Sequence, residues 1–470
     1  MHGRDGTRRL RRTMMLGLAI ALSAPAGAAA ATLHGTLLAK VGYGTTPPSF
    51  ARTADGVMHV AFETNVSWGD SANGVGEVSI SPSGHVGPQV QALAWGGTGG
   101  SPNGIPGLAV LPGGTLVATF GGSPGGDDGP WGISSTDGGA TWSAPVDVGS
   151  GSMEFGDSYV PLVVSNSTPI LGAGCCGGIV IQRGFGTGAP TYLLTNNSDN
   201  AAAQTGFAVD AATGAAVAGW NSNAGSGGTW LQQVAPSEGS AEKVPVPSQY
   251  GTGTPLIVAG RDSGPGVFAA YPGDYGTTTH LRLLRYGGGS VAVGSVKKLH
   301  ANTWGAATGN VGRIWALWSG VVNGKGVTAI TRSNKAVTRF EPIQRYGGTW
   351  AQLFTLSGDG RLGPLDLLLG GTPAVKSGPL VSGIYYARVL PELSASVSAK
   401  NLGGGKFRLK VKVTDAGDAV SGAKASARGQ SKTANSMGTV KLTISGSGGD
   451  HVTVTVTDAG YRVLKTRVKL

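Results

Sequence analysis

The chain has 470 residues, of which 83 are glycine and only 13% are charged. That composition calls for many turns and small packed strands. No stretch beyond the N-terminus spaces apolar residues as a helix would, so the favoured class is all-β. The net charge of +11 is unevenly held: +4 in residues 1–31, −1 in 32–390 and +8 in 391–470.

The N-terminus reads as an export signal. Arg4, Arg8, Arg9, Arg11 and Arg12 precede the apolar run 14–22, and small residues follow through Ala31. A basic start, a short apolar segment and an Ala-x-Ala zone make residues 1–31 a signal peptide. The apolar run is too short to span a bilayer comfortably, and no later segment is apolar enough to do so. The expectation is a secreted or cell-surface protein with no membrane partner once the signal is cleaved.

From residue 58 onward a five-residue pattern recurs: apolar, any, Ala, any, aromatic. It stands as Leu116-Val-Ala118-Thr-Phe120, Ala216-Val-Ala218-Gly-Trp220, Val267-Phe-Ala269-Ala-Tyr271 and Ile314-Trp-Ala316-Leu-Trp318. Met58-His-Val60-Ala-Phe62 carries Val for Ala, Leu171-Gly-Ala173-Gly-Cys175 carries Cys for the aromatic, and Leu365-Asp-Leu367-Leu-Leu369 is degenerate. The mean spacing is about 51 residues, which suits one four-stranded propeller blade. Alternate side chains of a strand share a face, so the pattern predicts a small residue that admits the neighbouring blade and an aromatic that fills space beside it. Because they recur at one position, Phe62, Phe120, Trp220, Tyr271 and Trp318 are expected to be packing rather than sugar-stacking residues. Seven blades are expected, with six as the alternative. The last unit lacks its outer strand, and the run 33–41 is the candidate to supply it and leave no open edge.

In the second unit, Ser135-Thr-Asp137-Gly-Gly139-Ala-Thr-Trp142 lies between two strand-like runs. Asp137 is placed to accept downstream backbone N–H groups, Gly138 and Gly139 permit positive φ, and Trp142 is expected to fold over the turn. This wording resembles the Asp-box of sialidase-like β-propellers, and residues 80–87 resemble a decayed copy. The resemblance covers residues 32–390 in architecture. It implies a retaining glycosidase in which three arginines grip a substrate carboxylate, a Glu-assisted Tyr attacks the anomeric carbon and an Asp serves as acid and base.

The family's Arg-Ile-Pro is absent near the propeller start, where Phe50-Ala-Arg52-Thr stands instead. On the carried-over pattern Arg52 is a carboxylate ligand and Asp70 the acid; the competing reading makes Arg52 a solvated loop residue. Glu154, Asp157 and Tyr159 form the best acidic cluster, against the reading of a polar loop between blades. Glu77 is expected on an exposed hairpin. The adjacent Cys175 and Cys176 are too few for a disulfide framework. They read equally as a strained vicinal disulfide or as two buried thiols, since neighbouring Cα atoms lie closer than disulfides prefer. Asp127 and Asp128, beside glycines, offer two carboxylates to Ca²⁺, against the commoner reading of a solvated loop pair. No metal spacing, phosphate loop or nucleophile elbow occurs, so no cofactor or metal is called for.

Residues 391–470 are expected to form a small β-sandwich of five or six strands resembling bacterial Ig-like or carboxypeptidase-regulatory-like modules. Lys406-Phe-Arg-Leu-Lys-Val-Lys-Val413 alternates so that Phe407, Leu409, Val411 and Val413 are buried and the basic residues exposed. Without exposed aromatics to stack on bases, nucleic acid is not an expected partner. Three functions compete: a propeller that binds extracellular glycan or polymer, with the basic module attaching to an anionic cell surface; an exo-sialidase-type hydrolase with diverged motifs; and, ranked last, a purely structural surface or envelope protein.

Overall fold

The computed structural model describes residues 33, 35–40, 48–64, 74–94, 103–122, 129–149, 160–175, 178–194, 206–222, 228–248, 257–276, 278–323, 325–347, 350–373 and 382–470. The fold is all-β. The repeat pattern falls each time on the second strand of a four-stranded antiparallel unit. The first unit is built from Ser49–Arg52, Met58–Thr64, Gly74–Ile80 and Val86–Ala94. Four more sheets follow in order, beginning at Asn103, Leu162, Gly206 and Val258. An eight-stranded sheet closes the series. Its first half starts with His300–Gly309 and its second with Trp350–Gly360, and these two strands touch in parallel at Thr308–Asp359 and Gly309–Gly360.

The final strand of that sheet comes from the other end of the chain. Thr36–Lys40 pairs antiparallel with Gly383–Val389, as expected for the unassigned run before the first unit. Apolar clusters join each unit to the next in chain order, and one joins the last strands to the first unit through Leu38, Val60, Phe62, Leu368 and Ile384. Many four-stranded sheets packed successively in this way are consistent with a β-propeller.

The repeat residues explain the packing. Phe62, Phe120, Leu171, Trp220, Tyr271, Trp318 and Leu369 are all buried, each in the cluster shared with the preceding unit. The intervening residues Ala61, Val117, Val217, Phe268 and Leu317 face the following unit. A second strand therefore has no polar face, which is why these strands read as nearly continuous apolar runs. First strands approach so closely that a Cβ on Gly107 would collide with the Val160 carbonyl, and one on Gly260 with that of Val209. Glycine is required there for space.

Residues 394–469 form two further sheets. One holds Ser394–Gly403, Lys406–Asp415, Asp418–Ala419 and Thr439–Ser445, the other Lys424–Ala427, Gln430–Thr433, His451–Thr457 and Leu464–Lys469. Phe407, Leu409, Val411 and Val413 share one core with Ala425, Val452, Val454 and Val456. Eight strands stand where five or six were expected. Those missed include Ser394–Gly403, whose inward side chains are mostly small alanines, and Gln430–Thr433, which is wholly exposed.

This module is clamped to the preceding units by buried charge. Asp415 accepts from Arg332 Nη2 at 2.7 Å and from the Tyr461 hydroxyl at 2.7 Å, with Arg313 Nη2 at 3.1 Å. Glu341 sits 3.1 Å from Arg332 and accepts the Glu392 backbone N–H. Arg332 is fully buried, its guanidinium over the rings of Trp315 and Tyr461. Charge removed from water this completely is tolerated only when paired on every side.

Candidate functional site

First strands from every unit line one cavity of about 500 Å³. Its wall is mainly apolar, from Phe50, Leu108, Leu162, Val209 and Val258, first-strand residues that also pack between neighbouring units. Polar groups enter from Arg52, Arg261, Asp262, Thr308, Ser357 and Arg361. Most of them are already engaged. Thr308 donates to the Gly260 carbonyl at 2.8 Å, Arg261 to that of Gly312 at 2.7 Å, and Asp262 accepts the Val311 N–H at 2.8 Å. The buried Ser357 hydroxyl has no hydrogen-bond partner among the described residues. An apolar wall with a few convergent polar groups is the ordinary composition of a ligand site.

At one end of the cavity three arginines gather round two aspartates. Arg52 donates through Nη2 to Asp366 at 2.8 Å, and its Nε lies 3.5 Å from Asp359. Arg361 donates to Asp359 at 2.7 Å, Arg388 Nη1 stands 3.5 Å from Asp366, and the Tyr386 hydroxyl donates to Asp366 at 2.7 Å. Arg52 is thus neither a solvated loop residue nor a free carboxylate ligand. It sits on a first strand, its side chain is buried, and both aspartates it meets are buried too. Burial and then the negative charge of Asp366 push the Tyr386 phenol up, away from the ionised form a nucleophile needs. The cluster ties the first and last units together. Of the three arginines Arg361 is the most exposed, at 41%, against 22% for Arg388 and 4% for Arg52.

Glu77 is also corrected. It is buried and lies 2.9 Å from His59 Nδ1, because its strand is covered on both faces. The Ser135–Trp142 turn rests against this pair. Ser135 donates to Asp137 at 2.8 Å and accepts the Gly139 N–H at 2.9 Å, Asp137 accepts the Thr141 N–H at 2.9 Å, and Trp142 Nε1 donates to the Gly139 carbonyl at 3.1 Å. These bonds hold the Asp137 carboxyl down at about 2, the Thr141 hydroxyl and N–H first among the causes. Gly138 and Gly139 both take positive φ. In the first unit the corresponding turn survives without an aspartate: Ser81 Oγ accepts the His85 N–H at 3.0 Å and meets Ser83 at 2.8 Å.

Asp70, Glu154, Asp157, Tyr159 and Cys176 lie outside the described residues, as do Asp127 and Asp128; Cys175 ends the strand Thr168–Cys175. One carboxyl that sequence reading passed over is Glu63, on the second strand of the first unit. It is half-buried, and burial raises its pKa to about 7. No sequence signal marks it. No group of three or more His, Cys, Asp or Glu suited to a metal occurs among the described residues.

No protein-family profile matches the chain, and no curated protein sequence matches it significantly. Similar solved structures include the polysaccharide lyase Uly1, with 10% identity over 78% of this chain and 93% of that one and a TM-score of 0.42. The WD40 domain of SCAP from fission yeast is 10% identical over 87% and 95% of the two chains, with a TM-score of 0.33. A mutant of AofleA from Arthrobotrys oligospora is 9% identical over 73% and 89%, with a TM-score of 0.34.

Proposed function

We propose that the chain is a secreted, sialidase-like β-propeller of seven blades that binds an extracellular glycan or polymer. Residues 391–470 act as a basic β-sandwich that attaches it to an anionic cell surface. The observation that carries this reading is the charge distribution: a nearly neutral body bears a module of +8, held rigidly by the Arg332–Asp415–Tyr461 clamp. The blade count rests on the seven repeats and on the strand that the N-terminal run adds to the last unit. Within the cavity, an apolar wall with the part-exposed guanidinium of Arg361 suits a sugar presented edge-on.

The test is sedimentation of the intact mature protein with cell envelopes, together with binding to a glycan array. Retention at low salt that weakens as salt rises is expected, since exposed charge is screened. Absence of binding to both would end the reading. A second reading is an exo-sialidase-type glycoside hydrolase with diverged motifs, for which Glu63, its carboxyl raised to about 7 by burial, is an acid–base candidate lying outside the cavity lining. Release of fluorophore from a sialoside panel, lost in Glu63→Gln, would establish that alternative.

A further inference from the structure

The sheet formed by Ser394–Gly403, Lys406–Asp415 and Thr439–Ser445 has an outer face on which Lys and Arg stand directly opposite one another, as on no other sheet among the described residues. Its middle strand projects Lys406, Arg408, Lys410 and Lys412 to solvent. Lys441 stands directly opposite Lys410 on one neighbour, and Lys400 directly opposite Arg408 on the other. All six are exposed, and none has an ion-pair partner among the described residues. Asp415, the acidic residue of these three strands, is turned inward into the clamp. The module's other sheet also exposes unpaired Lys424, Lys465, Arg467 and Lys469, but there each stands opposite a Thr or a His, never another Lys or Arg, so cation facing cation is the property of this face.

Like charges placed directly opposite across a ladder destabilise a sheet. Two such pairs on one face have no explanation within the fold, whose core is made by the other side of the same strands. We infer that this face binds a linear acidic polysaccharide laid along the 406–412 strand, an inference that rests on the surface-attachment reading above. Alternate residues of a strand repeat at about 6.8 Å, so the row offers cations over about 20 Å, with Lys400 and Lys441 about 4.8 Å to either side. Hydroxyls fill the remaining places: Ser398 opposite Lys410, Ser396 opposite Lys412 and Thr443 opposite Arg408. A checker of cations and hydroxyls matches a chain in which carboxylates or sulfates alternate with sugar hydroxyls.

Five of the six cations are lysines, point charges that follow a polymer without demanding bidentate geometry. No aromatic side chain projects from the rows to stack on bases, as single-stranded nucleic acid binding uses. Nor does an apolar one project between Ser396 and Lys400 or Arg408 and Lys412 to enter a bilayer interface.

The experiment uses the intact protein on immobilised dextran sulfate and polygalacturonate, which separate sulfate from carboxylate as the source of charge. Neutral dextran, duplex DNA and anionic phospholipid vesicles serve as comparators. The variant R408Q/K410Q/K412Q/K441Q should lose at least tenfold in affinity for the acidic polysaccharide while melting no lower than the parent. The variant K424Q/K465Q/R467Q/K469Q removes the same charge from the exposed face of the other sheet and should bind as the parent does. Equal losses in both variants, or no loss in the first, would overturn the assignment to this face while leaving surface attachment intact. Tighter binding to DNA or vesicles than to either polysaccharide would overturn the choice of ligand. If the parent bound no anionic polymer at all, the attachment reading would fall with it.

Discussion

Arg52 Nη2 lies 2.8 Å from Asp366 Oδ2, and this bond joins residues 314 positions apart across the seam between the first and last units. The same guanidinium donates to the Gly56 carbonyl at 2.6 Å and faces Asp359 through Nε, while Tyr386 holds the other oxygen of Asp366. Both aspartates are buried, so removing this cation leaves Asp359 with only the part-exposed Arg361, and Asp366 with only Tyr386 and the more distant Arg388. Arg52→Met is expected to cost about 3–5 kcal/mol, read as a lower midpoint in urea unfolding. Arg52→Lys should recover only part, because one ammonium cannot span three acceptors in a fixed fork. A variant as stable as the parent would show that the seam does not depend on this residue.

Gly138 and Gly139 separate two contributions to the turn at Ser135–Trp142. Both have positive φ, at 72° and 89°. A Cβ on Gly138 meets nothing, whereas one on Gly139 stands 3.2 Å from Glu77 Oε2 and 3.5 Å from His59 Nδ1. Gly138→Ala should therefore cost only the backbone term, about 1 kcal/mol. Gly139→Ala should cost more, about 2–3 kcal/mol, since it also presses on a buried polar pair. Thermal unfolding of the two variants side by side checks the order, and equal losses would mean the His59–Glu77 contact yields without cost.

Much of the architecture was legible because the repeat is a packing rule written locally. An apolar residue, an Ala and an aromatic on alternate positions describe one face of one strand, and neighbouring blades demand the same face each time. The turn at Asp137 was legible for the same reason, since donors and acceptors fall within eight residues. The charge clusters were not. Arg52 with Asp366, and Arg332 with Asp415, are partners 314 and 83 residues apart, and nothing local distinguishes such an arginine from a solvated one. Glu77 read as exposed because alternation was expected on a strand that neighbouring units cover on both faces.

Phe120 tests whether the repeated aromatics serve packing alone. It is fully buried between Ala61, Leu108 and Ile133 in the cluster joining the first two units. Phe120→Ala should cost about 3–5 kcal/mol by loss of transfer free energy and by the cavity left behind. Affinity for acidic polysaccharide, measured below the new unfolding midpoint, should not change. Loss of binding at full stability would move the aromatics from the core to the ligand.

The clamp between the module and the last units predicts an acid-stable junction. Burial, opposed by Arg332 and reinforced by Asp415, raises the Glu341 pKa to about 8 from an ordinary 4.5. The folded state thus holds a proton that the unfolded chain releases between those values. The stability this contributes is fully present below about 4.5 and declines as pH rises towards about 8. Asp415 acts oppositely. Arg332, Arg313 and hydrogen bonds hold it below the ordinary range against burial, so its contribution is present at higher pH and is lost on strong acidification. Together the two place the junction's greatest stability in mildly acidic solution. Denaturant unfolding of the parent at pH 5, 7 and 9 should show stability falling across the series. Glu341→Gln, which carries no titrating group, should flatten that fall by an amount on the order of a few kcal/mol. Parallel profiles for parent and variant would show that Glu341 enters the junction already ionised.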